Sequence, residues 1–264
     1  MISDFFEIFL LAIIQGVSEF IPVSSAAHLI LASNIYEFKN QSLLIDISLH
    51  LGSLLAILFY FKDDIFNFNR NKNLFYKIII GTLPLIIVGY FLYATNIIYY
   101  FRDIKVIAWA TLFFGILLYI ADKNKFLKKI DADFTIKTVL VIGFFQVLAL
   151  IPGVSRAGIT ITAGRILGFD RTDSTKISFY LSIPALVGAS TLGIKDLFKE
   201  NIDFNLLVLI GVFLSFWFSL ITIKIFLKFV KNFSLNVFVV YRLFLAVVLF
   251  SQIIPSYESK TKNI

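Results

Sequence analysis

Cysteine is absent from this 264-residue chain. That excludes disulfide frameworks, thiolate metal sites and a cysteine nucleophile, and it leaves the redox compartment unreadable. Charge is scarce too: 16% of residues are Asp, Glu, Lys or Arg, against about 25% in a soluble domain. The start, Met-Ile-Ser-Asp-Phe-Phe-Glu, has no basic n-region, so no cleaved signal peptide is expected and the whole chain should stay in the mature protein. Apolar bulk fills the space instead. Apolar residues make up 59% of the chain, including 31 Phe and 11 Tyr, more than a soluble globule of this length could keep from water. Disorder is excluded for the opposite reason, because low hydrophobicity is what keeps a chain unfolded. The composition reads as a polytopic membrane protein.

A helix needs roughly 20 residues to cross about 30 Å of hydrocarbon. Uncharged runs at Ile78–Phe101 and Phe204–Ile223 meet that length, and Ile177–Ile194, Thr138–Ser155, Val106–Ala121, Ile47–Phe61 and Leu243–Tyr257 come close. Two stretches differ. Phe5–Ser33 is too long for one span and too short for two, and Pro22 lies in its middle. Proline removes a backbone donor and disfavours helix at the residue before it; Ser24 and Ser25 can then cap a fresh helix. Thr138–Gly168 has the same form, with Pro152-Gly153-Val154-Ser155-Arg156 at its break. Broken helices are tolerated at membrane depth only where protein or a wet cavity satisfies the freed backbone groups, so both breaks are expected inside the protein.

The two stretches resemble each other at an offset of 131 residues, with Gln15 matching Gln146 and Val23-Ser24-Ser25-Ala26-Ala27 matching Val154-Ser155-Arg156-Ala157-Gly158. Three ordinary spans follow each copy, near 43–61, 77–95 and 105–121, then near 177–194, 206–223 and 236–254. An odd number of crossings per half inserts the halves in opposite orientations, which is the inverted-repeat plan with the site at the repeat interface. The expected fold is therefore an all-α polytopic membrane protein in a single domain, residues 1–264. It holds two inverted-topology repeats, about 1–130 and 131–264, each a re-entrant broken-helix pair plus three transmembrane helices. Loops 62–77, 122–137, 169–176 and 224–235 then share one side with 14 Lys and Arg, against 7 on the other. The basic side should be cytoplasmic, with both termini outward. The net charge of +7 is ordinary for loops beside anionic lipid and does not call for nucleic acid.

Three arginines, Arg156, Arg165 and Arg242, fall within or beside apolar segments, where a charge is expensive and usually functional. Arg165 also reads as the end of a re-entrant helix near an interface. Gln15 and Glu19 are spaced to share one helix face, as are Ser25 and His28 on the next helix. A carboxylate, a hydroxyl and an imidazole thus converge on one buried turn. Glu19 at membrane depth must be protonated, paired or metal-bound; the plainer alternative is a carboxylate that only packs helices. Arg156 offers a fork of donors that fits phosphate oxygens, and the amides after Gly153 open a helix whose N-terminus attracts anions. Ser155 precedes it and Thr160 follows one turn on. The plainer alternative is a kink whose arginine pairs with Glu19, and an empty site can hold such a pair. Asp46 and His50 read as interhelical glue, Gln146 as structural, and Lys123–Lys129 as a solvated face.

The segments Ala12–His28 and Gln146–Thr160 closely resemble the two signatures of the undecaprenyl-diphosphatase family (UppP, also called BacA, linked to bacitracin resistance). Gln15, Glu19, Pro22, Ser24, Ser25 and His28 match the first, and Pro152, Gly153, Ser155, Arg156 and Thr160 match the second, with Ala157 in place of a serine. Length, span count and Leu51-Gly52-Ser53 agree. The resemblance implies hydrolysis of undecaprenyl diphosphate to the monophosphate and inorganic phosphate in the bacterial plasma (inner) membrane, recycling the lipid carrier of peptidoglycan synthesis. It further implies a site thought to open outward, stimulation by a divalent cation (Mg2+ or Ca2+) that Glu19 and Gln15 would hold, and a polyprenyl diphosphate and membrane lipids as partners, with a homodimer as an option. Gln15 leaves Glu19 as the single carboxylate of its motif, against a site built from two. The expected roles are Arg156, Gly153, Thr160 and Ser24 on substrate, His28 as acid/base oriented by Glu19, and Ser25 as nucleophile with Ser155 or water as substitutes. The rival reading is a transporter or flippase of a prenyl diphosphate lipid.

Overall fold

Proline, glycine and serine punctuate an otherwise continuous series of helices. The computed structural model describes residues 2–36, 43–66, 68–124, 128–200 and 206–253. Its helices are α1 (Ile2–Ser18), α2 (Ser25–Tyr36), α3 (Leu43–Tyr60), α4 (Lys62–Phe66), α5 (Phe68–Ala94), α6 (Ile104–Asp122), α7 (Ile130–Asp133), α8 (Ile136–Val147), α9 (Arg156–Ile166), α10 (Arg171–Glu200), α11 (Leu206–Asn232) and α12 (Asn236–Ser251), with short 3-10 turns at Ile97–Arg102 and Leu148–Leu150. Among the described residues there is no strand beyond one isolated bridge, Lys128 to Phe169. Of the stretches expected on the outer side, 37–42, 201–205 and the tail from 254 lie outside the described residues, as do 125–127 of the basic run.

Among the described residues, three segments are long and apolar enough to cross a membrane: Asn71–Ala94, Ile104–Asp122 and Leu206–Asn232. Shorter apolar helices follow at Leu44–Tyr60, Ile136–Leu150 and Asn236–Ser251. Of the broken pairs, α1 has 17 residues and the other three members are shorter still. At about 1.5 Å per residue, the 12 residues of α2 and of α8 and the 11 of α9 fall short of a bilayer. The outer surfaces are what lipid tolerates and water does not. On α11 Leu209, Phe213 and Trp217 are exposed, and on α12 Val240, Phe244 and Val247.

Inside, α3 and α1 lie along α11, α5 along α8, α6 along α12, and α9 along α10. Close approach comes from small residues, as expected where apolar burial cannot drive helix association in lipid. A Cβ added to Gly143 of α8 would stand 2.0 Å from the carbonyl oxygen of Gly81 on α5, so no larger residue fits that crossing. Between α3 and α11, Ser53 Oγ lies 2.9 Å from Ser219 Oγ, and Ser215 Oγ donates to the Leu49 carbonyl at 2.6 Å. The main core gathers Phe20 of the first break with Ile57, Phe61, Leu118, Phe179, Phe226 and Val239.

At the end carrying the basic loops, Asp122 is the tie. Arg171 grips its carboxylate through Nε at 2.7 Å and Nη2 at 3.0 Å, and the Leu235 amide donates to it at 3.0 Å. Arg165 pairs with it at 3.4 Å and donates to the carbonyls of Phe169, Asp122 and Asn124. Arg165 thus closes α9 at that end, as its sequence position suggests. Lys129, read as part of a solvated face, is ion-paired with Asp170.

Candidate active site

The first break runs from Glu19 to Ser24. Glu19 still donates its amide to the Gln15 carbonyl at 3.0 Å, after which the chain turns through Pro22. Ser24 sits at φ 76° and its hydroxyl oxygen accepts from the Ala27 amide at 3.4 Å, starting α2. The second break repeats this geometry. Ser155 sits at φ 69° and accepts from the Gly158 amide at 3.1 Å, starting α9. Gly153, at φ 95°, is required twice over, since a Cβ there would meet the Ile107 carbonyl at 2.5 Å.

The breaks meet in the interior. The Gly153 amide donates to Ser24 Oγ at 3.2 Å. Arg156 Nη2 donates to Glu19 Oε1 at 2.9 Å and to the Glu19 carbonyl at 3.3 Å, while Nη1 reaches the Ser178 carbonyl of α10 at 3.2 Å. On the other carboxylate oxygen, Glu19 Oε2 accepts from Ser25 Oγ at 2.7 Å and Gln15 Nε2 at 3.1 Å. Guanidinium, carboxylate and hydroxyl therefore form one chain across the two breaks. Phe20 lies under the Arg156 guanidinium at 5.9 Å and edge-on to Phe179 at 5.4 Å, which fixes the turn that presents Glu19.

A cavity of about 520 Å³ opens over this chain. Its floor is Glu19, Ser24, Ser25, His50, Ser155 and Arg156, and its walls are apolar, from Leu85 to Tyr93 on α5, Leu150 and Ile151, and Ala185 to Ala189 on α10. Pro84 and Pro184 lie inside the two long helices just before these walls. Such a pocket suits a ligand with an anionic head and a hydrocarbon body.

Several expected site residues lie elsewhere. His28 is not part of the cavity lining and makes no bond to Glu19. Its Nδ1 faces the Ser24 carbonyl at 2.6 Å and its Nε2 the Tyr241 hydroxyl at 2.5 Å, with the two rings parallel. A carbonyl only accepts, so Nδ1 carries the proton and Nε2 accepts from Tyr241; both ring nitrogens are occupied. The reason is local: the ring turns back onto the carbonyl one turn earlier, as His50 does onto Asp46 at 2.7 Å. His50, read from sequence as glue, is the imidazole that lines the cavity. Thr160 is fully buried and bonds Ser178 Oγ at 2.7 Å and the Arg156 carbonyl at 2.8 Å, so it supports Arg156 from behind. The Gly153 amide is committed to Ser24, and Ser24 and Ser155 use their oxygens as caps. Gln146 is buried, and its side-chain amide has no partner among the described residues. Arg242, Tyr241 and Ser178 complete the framework.

As a cation site the donors are few. Among the described residues no three of His, Asp and Glu cluster, and both Glu19 oxygens have partners; Gln15 Oε1 is buried without one. One carboxylate and one amide oxygen do not make a cage. They fit a cation that brings most of its ligands as phosphate oxygens and water, which is how Mg2+ is usually held.

Comparison with known proteins identifies the family. The family model described as bacitracin resistance protein BacA matches residues 8–248. A protein of Pelagibacter ubique named undecaprenyl-diphosphatase is 53% identical over 251 residues, covering 95% of this chain and 98% of the relative. Proteins of the same name from Saccharophagus degradans and Alteromonas mediterranea are 38% and 40% identical, covering 94% and 92% of the chain. The chain belongs to the BacA family.

Proposed function

We propose that this member of the BacA family is an integral membrane phosphatase that cleaves undecaprenyl diphosphate to undecaprenyl phosphate and inorganic phosphate. The observation that carries the reading is the chain Arg156–Glu19–Ser25 at the base of an apolar cavity. A pure carrier of prenyl lipids needs the cationic floor but has no use for a hydroxyl already bonded to a carboxylate. The apolar walls suit the tail, in which each buried methylene contributes about 0.8 kcal/mol.

The chemistry follows from the partners. Arg156 holds Glu19 while no anion is present. The terminal phosphate, with more oxygens and more charge, takes the guanidinium fork. The amides of Arg156 and Ala157, which have no intrahelical carbonyl to meet, complete the anion cradle. Glu19, released from Arg156, accepts the Ser25 proton. Ser25 Oγ attacks the terminal phosphorus, the bridging P–O bond breaks, and undecaprenyl phosphate leaves with that bridging oxygen. The leaving oxygen takes the proton held by Glu19, restoring the carboxylate; water then attacks the phosphoserine and passes a proton to Glu19, which delivers it to Ser25 Oγ as the Ser25–phosphorus bond breaks, freeing phosphate and the Ser25 hydroxyl. Charge developing on the phosphoryl oxygens is met by Arg156, a donor of the kind worth about 3–4 kcal/mol in comparable sites. When a divalent cation is present, Glu19 and Gln15 would hold it against the diphosphate, where it would neutralise charge.

Pseudosymmetry supports the inverted-repeat arrangement. At an offset of 131 residues α1, α2, α3, α5 and α6 overlap α8, α9, α10, α11 and α12, and Ser24 corresponds to Ser155 in position, φ and capping. With the basic loops cytoplasmic, the cavity wall at 85–93 lies toward the other end of α5 and that at 185–189 at the middle of α10, which supports a site that opens to the outer leaflet of the plasma membrane, with both termini outward. Purified protein given a prenyl diphosphate in detergent tests the activity: phosphate release bears the reading out, and substrate bound but unhydrolysed would favour a carrier.

A further inference from the structure

Arg242 lies in the middle of α12 and is the largest fully buried side chain among the described residues. Every partner of its guanidinium is a carbonyl oxygen. Nε donates to Thr111 of α6 at 3.2 Å, Nη1 to Pro22 at 3.4 Å and to Val154 at 2.9 Å, and Nη2 to Gly153 at 2.8 Å. One side chain thus bonds the first break, the second break and a flanking helix. Room is made for it by two glycines: a Cβ on Gly158 would stand 2.9 Å from Nη1, and one on Gly115 3.2 Å from the Arg242 Cβ.

A buried cation without a carboxylate costs several kcal/mol unless dipoles replace its water. Four carbonyls do so here, and only a planar fork of five donors can reach them at once. The same bonds orient the site. A peptide unit is planar and trans, so drawing the Val154 carbonyl onto Arg242 turns the Ser155 N–H the opposite way, and Ser155 lines the cavity. Arg242 itself does not line it.

We propose that Arg242 is a positioning residue: it fixes the two breaks at the separation where Glu19 and Ser25 of one face Arg156 of the other. The inference rests on the phosphatase reading for its kinetic consequence, but its structural consequence stands apart from any activity.

The test uses Arg242→Lys, which keeps the charge and loses the fork, and Arg242→Met, which loses both, in the full-length protein. Hydrogen exchange is followed in detergent, alongside phosphate release from a prenyl diphosphate. Exchange should accelerate roughly tenfold or more at residues 22–26 and 153–158 in both variants, with α3, α5 and α11 unchanged. For Arg242→Lys, kcat should fall about 100-fold, the cost of a displacement near 1 Å, while KM moves less than about threefold because tail and Arg156 still bind. Unchanged exchange at both breaks overturns the proposal, and so does acceleration spread evenly over all helices, which would mean a role in the fold as a whole. Wild-type kcat in either variant also overturns it. A wild-type protein that releases no phosphate refutes the phosphatase reading alone, because the exchange result is read without turnover.

Discussion

Ser24 Oγ accepts the Gly153 amide at 3.2 Å across 129 residues of chain, and the same oxygen accepts the Ala27 amide that starts α2. The two breaks are therefore hydrogen-bonded to each other directly. Ser24→Ala would leave a buried Gly153 N–H unsatisfied and α2 uncapped. A loss of about 1–3 kcal/mol is expected, read as a lower thermal midpoint in detergent.

Arg156 bonds Glu19 twice and Ser178 once. Arg156→Lys keeps a cation but cannot span these acceptors or grip a phosphate with two parallel bonds. Its kcat/KM should fall about 100- to 1,000-fold with the protein still inserted and monodisperse. Turnover like that of the wild type in this variant would contradict the bidentate role.

His28 and Tyr241 are coupled through one hydrogen bond. With both ring nitrogens hydrogen-bonded to Ser24 and Tyr241, His28→Ala is expected to lower kcat and leave the shape of the pH–rate profile unchanged. Tyr241→Phe should share that loss. In a double-mutant cycle the two should be non-additive by roughly 0.5–3 kcal/mol. A lost limb of the pH profile in His28→Ala would restore the histidine as acid/base.

Asp170 gives a pH signature outside the membrane. Burial pushes its carboxyl up, but the Lys129 ammonium and the backbone amides of Asp173 and Thr172 bond the charged form and hold it below the ordinary aspartate range. A lowered folded-state value contributes stability above the unfolded value, near 3.9, and loses it as pH falls further. The thermal midpoint should therefore drop in strong acid more in the wild type than in Asp170→Asn.

The breaks, most helices and the meeting of Glu19 with Arg156 are legible in the sequence because each has a local signal: a proline between capping residues, an uncharged run, an ionisable group in apolar surroundings. The histidines are not. Spacing places Ser25 and His28 near one face of α2, yet the Ser24 carbonyl, which accepts the His28 amide, also captures the His28 ring, and rotamer choice leaves no trace in spacing. Which face His50 presents depends on the rotation of α3 against α11, set by contacts at Gly52 and Ser53 with residues more than 150 positions away. Arg242 announces itself as a charge in an apolar helix, but its acceptors are backbone carbonyls, which carry no residue code.

The most direct test is to quench turnover of a prenyl diphosphate labelled in its terminal phosphate and map the label on the protein. The account predicts covalent phosphate on Ser25, absent from Ser25→Ala and reduced in Glu19→Gln. Steady hydrolysis with no labelled residue, or undiminished hydrolysis by Ser25→Ala, would contradict it.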